Sequence, residues 1–353
     1  MKKFSIFLSS LFSVFLAFFS LPQAFSQETY NTSFSRDSFL SEYVSRTWTA
    51  ADGLPGNSIT DIMQSSSGYI YLGTYDGLVR FDGVEFVTFN RSADRKYSFV
   101  SARAVFEDSR GNIWNGSNDE GICMVSKEGE ITEFSMENGL PNNSIRAICE
   151  DNDGNIWIGT SAGIAIVDRN LSLTRFEGLS KFGESNILVS ALFCDTAGRV
   201  WILSPRENSV YIYANNSAER FKGLRDFDSA VITSVMQDKN TDFWFGVAPH
   251  YAVKVSGGEE IVYDVGHGNQ PGTTVMCIFQ DRRGNMWFSR DTGVTVMHEG
   301  TFSYFDGDNG LSDDKVSKII QDREGNIWFA TDRGGIERLS PSKFKTTTMN
   351  TTI

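Results

Sequence analysis

Short apolar runs alternate with turn residues along most of this chain, and the alternation recurs seven times. Its clearest copy spans residues 144–176. An apolar run at 144–150 predicts a first strand, a, and the polar residues 151–155 a tight turn. Residues 156–159 predict strand b, 160–163 a loop, 164–167 strand c and 173–176 strand d. Four such strands with turn residues between them predict one meander sheet. A single small sheet cannot bury both its faces. Seven of them set around an axis bury each face against a neighbour. The predicted fold class is therefore all-β, a seven-bladed β-propeller of four-stranded antiparallel blades.

An aromatic residue in strand b marks the period. Trp114, Trp157, Trp201, Trp244, Trp287 and Trp328 recur at intervals of 43, 44, 43, 43 and 41 residues, and Tyr71, 43 residues earlier, holds the place in the first copy. Rings this large suit wedges between blades. Six residues before each tryptophan stands an aspartate: Asp108, Asp151, Asp195, Asp238, Asp281 and Asp322. Ser65 holds that place before Tyr71. A glycine follows three positions later in six copies, with Thr241 the exception. Aspartate bonds its own backbone and glycine takes positive φ, so this a–b segment reads as a tight hairpin turn. The run Asp151-Asn152-Asp153 lacks the distal glutamate of a calcium loop and reads as a turn, not a metal site.

The b–c loops differ in length from copy to copy, and so do the d–a connections. In a propeller these share one rim, while the a–b and c–d turns share the other. Recognition is expected on the variable rim. The copies also contain one more strand d than they need. Residues 42–48 form a strand d with no blade in front, and another candidate surrounds Phe344. The expected closure has 42–48 completing blade seven, which leaves no free sheet edge. The reverse assignment stays open. The expected organisation is a signal peptide at 1–26, a linker at 27–41, the propeller at 42–345 and a tail at 346–353.

The leader rests on Lys2 and Lys3, an apolar run to about Phe19, the breaker Pro22, and Ala24-Phe25-Ser26 before Gln27. Cleavage there predicts a periplasmic or extracellular protein with no membrane span in the mature chain. The formal net charge of −12 and the lack of a basic face argue against nucleic acid as a partner. Cys123, Cys149, Cys194 and Cys277 sit in apolar strands at different repeat offsets, so buried free thiols are expected.

Aligning the seven a strands on the turn aspartate gives one informative column: Thr60, Arg103, Arg146, Ser190, Thr233, Met276 and Ser317. Six are polar inside an otherwise apolar strand, which places them on the channel wall near the variable rim. Arg103 and Arg146 fall in neighbouring blades and suit a carboxylate, a sulfate or sugar hydroxyls. The b–c loops add Tyr75, Asn118, Arg206, His250, Arg290 and Asp332 as ligand-binding residues, Tyr75 for stacking on a ring.

The segments 138–145 (Asn-Gly-Leu-Pro-Asn-Asn-Ser-Ile) and 150–160 (Glu-Asp-Asn-Asp-Gly-Asn-Ile-Trp-Ile-Gly-Thr) resemble the two-component regulator propeller repeat. Similar pieces recur at 52–59, 77–83 and 321–328. The resemblance covers about residues 42–340. It implies an extracytoplasmic sensor region, joined in many members to a membrane kinase or cyclase and responsive to glycans in some. Here the expectation is a non-enzymatic recognition ring for a glycan, another small polar ligand or a partner protein. It has no cofactor, and a separate membrane histidine kinase or other transducer acts as its partner. Copies ending at 284–288 and 325–329 also resemble the streptogramin lyase propellers. That alternative, a metal-dependent lyase, needs a histidine base at the rim, and only His250 is placed for it.

Overall fold

The computed structural model describes residues 39–205, 209–222, 224, 230–266 and 274–342, with residue 309 by its backbone alone. The leader, most of the linker, the tail and the segment around Phe344 lie outside the described residues. Among the described residues no helix is long and apolar enough to cross a membrane.

Seven four-stranded antiparallel sheets form the ring. Blade three runs Ile145–Glu150, Ile156–Thr160, Gly163–Val167 and Leu173–Arg175, within a residue of the predicted strands. Blade seven takes Val316–Gln321, Ile327–Thr331 and Ile336–Pro341 from the end of the chain and Tyr43–Trp48 from its start. The closing register runs from Tyr43 opposite Pro341 to Trp48 opposite Ile336. Trp48 then stacks on Trp328 at 5.4 Å and meets Phe81 of blade one edge-on at 5.3 Å.

The tryptophans are wedges, as their spacing predicts. Trp328 packs with Ile62, Leu72 and Phe81 of blade one, and Trp287 lies 5.9 Å from Phe329 of blade seven. Small residues in strand b let the next blade close in. A β-carbon on Gly116 would lie 2.4 Å from Ile145, and one on Gly159 would lie 2.6 Å from Val189. Strand b is buried throughout in blades three, four, six and seven, whereas strand a of blades four and five (Ala191–Cys194 and Ile232–Gln237) is half-exposed along its whole length. Half-exposed residues on the innermost strands mark an open central channel.

The turn aspartate does more than close a hairpin. In all six tryptophan blades its Oδ2 accepts the indole Nε1–H, at 2.8–3.1 Å. Asp108 also accepts bonds from the backbone N–H groups of Arg110 and Asn112 and from the Asn112 side chain. Burial alone would raise the Asp108 carboxyl. The bonds from Trp114 and Asn112, with the Arg110 charge, outweigh burial and hold it below the ordinary 3.8. Asp195 is held down in the same way against its burial, by Trp201 and Arg199.

A second ring of bonds joins the blades at this rim. The residue just before each turn (Gln64, Glu107, Glu150, Cys194, Gln237, Gln280 or Gln321) accepts a backbone N–H from the turn of the preceding blade. The donors are Arg323, Ser66, Ser109, Asn152, Thr196, Lys239 and Arg282 respectively. The bond from Arg323 to Gln64 closes the circle at 2.8 Å.

The cysteines are free. Cys123 and Cys149 are buried, and burial pushes the Cys123 thiol up to about 12. Cys194 and Cys277 are half-buried instead: one serves the ring of acceptors, and the other accepts the Ile319 N–H of blade seven.

Candidate functional site

Five of the seven polar-column residues are β-bulges. The a–b register slips at Thr60, Arg146, Thr233, Met276 and Ser317. Arg103 and Ser190 stand just before strand a, each donating its N–H to strand b, to Gly116 and Leu203. A bulge leaves one residue outside the ladder and re-aims its side chain. Short side chains at this position bridge blades. The hydroxyls of Thr60, Thr233 and Ser317 donate to the carbonyls of Ala102, Val275 and Ile59 in the next blade, at 2.7, 2.6 and 2.9 Å.

Arginine is too long for that bond, so Arg103 and Arg146 reach over the rim instead. Arg103 Nη1 donates to Asn118 Oδ1 at 3.0 Å, and the Asn118 backbone N–H donates to Ser101 Oγ at 3.1 Å. Arg146 Nε donates to Ser161 Oγ at 2.9 Å. Both guanidinium groups are half-buried, and neither has a carboxylate partner among the described residues. Burial and then the neighbouring Arg146 charge lower the Arg103 pKa, while Tyr75 raises it. The three side chains thus share one electrostatic environment. Tyr75 is 54% exposed, and the exposed Val100 and Met136 lie in the d–a connections on the same rim of blades one to three. Val100, Met136, Ser101 and Ser161 were not among the expected site residues. The apolar pair carries no repeat signal, because d–a connections do not align.

The other expected residues lie elsewhere. Asp332 is in the blade-seven b–c loop, 3.4 Å from Lys315 Nζ and 3.9 Å from Arg333 Nε. His250 is in blade five, half-buried, with Nε2 3.7 Å from Asp264 Oδ1 and its ring 4.6 Å from that of Tyr251. Arg290 is not a loop residue. It ends strand b of blade six (Met286–Arg290), fully buried, with its guanidinium 4.9 Å from the Tyr304 ring centroid. In five blades a Ser or Thr at this place sends its hydroxyl to a nearby carbonyl, as Thr160 does to Gly163 at 2.8 Å. Arg206 lies outside the described residues.

Deeper in the channel, one residue past the column, Asp61 of blade one meets Lys318 of blade seven at 2.5 Å. Asp61 also accepts the N–H groups of Ile62 and Val105, at 2.9 and 2.8 Å. Burial would lower the Lys318 pKa, and the Asp61 charge and hydrogen bond outweigh it and raise it. The equivalent residues in blades two to four are Ala104, Ala147 and Ala191. Among the described residues, no three His, Cys, Asp or Glu side chains are grouped to hold a metal ion.

The sequence pattern of the two component regulator propeller matches residues 53–76, 139–162, 269–289 and 310–333, in blades one, three, six and seven. Comparison with curated proteins gives no match. Among solved structures, the chain is similar to the extracellular domain of the hybrid two-component system BT3049 from B. thetaiotaomicron, at 19% identity and a TM-score of 0.70. That likeness covers 85% of this chain and 42% of the other, so the chain spans about two fifths of that domain. It is also similar to virginiamycin B lyase from Staphylococcus aureus, at 14% identity and a TM-score of 0.68, over 85% of this chain and 99% of the lyase. A third likeness is to PorZ, a surface component of the type-IX secretion system of Porphyromonas gingivalis, at 16% identity and a TM-score of 0.63, over 80% and 46%. At these identities the likeness concerns the fold.

Proposed function

The chain carries two-component regulator propeller repeats, and from that premise we propose that it is an exported recognition ring that binds its ligand without chemical change. The ligand sits at the channel mouth over blades two and three. The observation that carries this reading is the pair of half-buried guanidinium groups of Arg103 and Arg146, positioned by an amide and a hydroxyl and not by carboxylates. Their charges are left for a third party. A guanidinium fork suits a carboxylate or sulfate, and its N–H groups also serve sugar hydroxyls. Tyr75 offers an exposed ring for stacking beside them. The ligand class that fits is a glycan or another small polar molecule, preferably one with an acidic group. The compartment is periplasmic or extracellular, and a separate membrane histidine kinase or similar transducer reads the bound state.

The test is thermal unfolding against a panel of neutral glycans, sugar acids, sulfated sugars and amino acids. A ligand raises Tm by mass action. Arg103→Ala and Arg146→Ala should lose that shift while keeping the unliganded Tm. Full affinity in both variants would remove the channel-mouth assignment. The lyase alternative draws on the His250–Asp264 pair in blade five, away from the two arginines. Conversion of a streptogramin by the purified protein with divalent metal, abolished in His250→Ala, would replace the recognition reading.

A further inference from the structure

The turn rim carries a second surface. Between blades five and six a hollow of about 440 Å³ opens where the innermost strands reach the a–b turns. Met236, Ile278 and Phe279 give it an apolar lining, and Lys239 and Arg282 stand at its edge. The Lys239–Gln280 bond joins the two turns here as at the other seams, and the apolar surface lies open beside it.

The charges around the hollow are unbalanced at the surface. Along the a–b turns of blades five to seven, nearest the hollow, the exposed ionic residues are Lys239, Arg282, Arg283, Arg323 and one carboxylate, Glu324, while the c–d turns farther out carry Glu259 and Glu299. Arg282 is held by the Arg323 carbonyl at 2.9 Å, and Arg323 by the carbonyls of Ser65 and Ser66 at 3.2 and 2.7 Å. Carbonyls fix a guanidinium without neutralising it. Arg283 has a carboxylate at 3.6 Å, from Glu42. The turn aspartates beneath, Asp238 and Asp281, are buried and bonded to Trp244 and Trp287. On the opposite arc, Glu107 and Glu150 fill the places that Gln237, Gln280 and Gln321 hold here. A chain of net charge −12 thus gathers cations around one apolar hollow.

We propose that the turn rim over blades five to seven is a docking surface for a partner-protein segment in which one large apolar side chain is flanked by carboxylates. The side chain enters the hollow on Met236 and Phe279, and the carboxylates meet Lys239, Arg282 and Arg323. Buried aromatic anchors ringed by complementary charge are the usual form of a tight local contact. This surface lies opposite the ligand mouth, so both can be occupied together.

The experiment uses the full chain and a fluorescein-labelled peptide with one phenylalanine between pairs of glutamates, read by fluorescence anisotropy. The peptide should bind. Replacing its phenylalanine by alanine, or its glutamates by lysines, should weaken binding at least tenfold. So should Arg282→Glu and Phe279→Ser in the protein, and so should raising NaCl from 0.05 to about 0.5 M. Arg282 is exposed, so Arg282→Glu should keep the wild-type Tm and carries the test if Phe279→Ser fails to fold. Arg103→Ala should leave peptide binding unchanged, which separates this surface from the ligand mouth. Equal binding of the three peptides would overturn the proposal, and so would an unchanged affinity in Arg282→Glu. Tighter, Arg282-dependent binding to phosphatidylglycerol vesicles than to the peptide would make this a lipid-facing surface and would also overturn it.

Discussion

The two rims of the ring come from the same repeat and are held by opposite means. On the turn rim, buried aspartates take the tryptophan N–H groups, and seven side chains just before the turns take backbone N–H groups from the preceding blade. All six turn aspartates have their partners inside the protein. On the loop rim, Arg103 and Arg146 lean on neutral groups and keep their charge. A satisfied network stabilises and fixes geometry, whereas an unsatisfied one is free to recognise something else. The difference also explains the two lengths of side chain in one column. Thr60, Thr233 and Ser317 are short enough to bridge blades, and the arginines are not.

The contrast can be broken or sharpened by substitution. The largest effect is expected at a wedge. Trp157→Ala should destabilise by about 3–5 kcal/mol, measured by urea unfolding, because it leaves a cavity and takes one donor from Asp151. A cost below about 1 kcal/mol would mean that the neighbouring blade collapses into the space. Next comes pH. Asp108 and Asp195 have folded pKa values below their ordinary 3.8, because hydrogen bonds outweigh burial. The unfolded chain therefore takes up these protons first. Their contribution is complete above pH 3.8 and disappears as pH falls through the folded values. Urea midpoints from about pH 5 down to pH 2 should fall along that limb, and the Asp108→Asn, Asp195→Asn double variant should flatten it.

A smaller loss, about 1 kcal/mol, is expected for Gln280→Ala, which removes one inter-blade acceptor from Lys239. Chemical unfolding with a fixed m-value would read it. The smallest effect belongs to the loop rim. Arg103→Ala should shift stability by no more than about 0.5 kcal/mol. Its lost packing is offset by relief of its repulsion with Arg146, which itself lowers the Arg103 pKa. A Tm drop matching that of Trp157→Ala would show that the arginines are scaffold, and the contrast between the rims would fail.

Repeat spacing settled the blade count, the strand order within a blade and the wedge role of the tryptophans, because each of these is written seven times within about 43 residues. The extra strand at Tyr43–Trp48 was countable for the same reason, and the expected closure of blade seven by this strand is the one observed. Pairing Trp48 with Ile336 is a contact across nearly the whole chain. The acceptor column Gln64, Glu107, Glu150, Cys194, Gln237, Gln280 and Gln321 was not singled out in the sequence, where Gln, Glu and Cys share no obvious role. Its meaning needed the neighbouring turn in space. Arg290 misled because a residue after strand b reads as loop, and only packing against Tyr304 places it inside. Periodicity is local and additive, so the sequence alone determined the blade, its wedge and its turn. Which side chains meet across a seam depends on the closure of the ring. Only the tertiary structure decided that Asp61 would neutralise Lys318 while Arg103 and Arg146 would meet no counter-charge among the described residues.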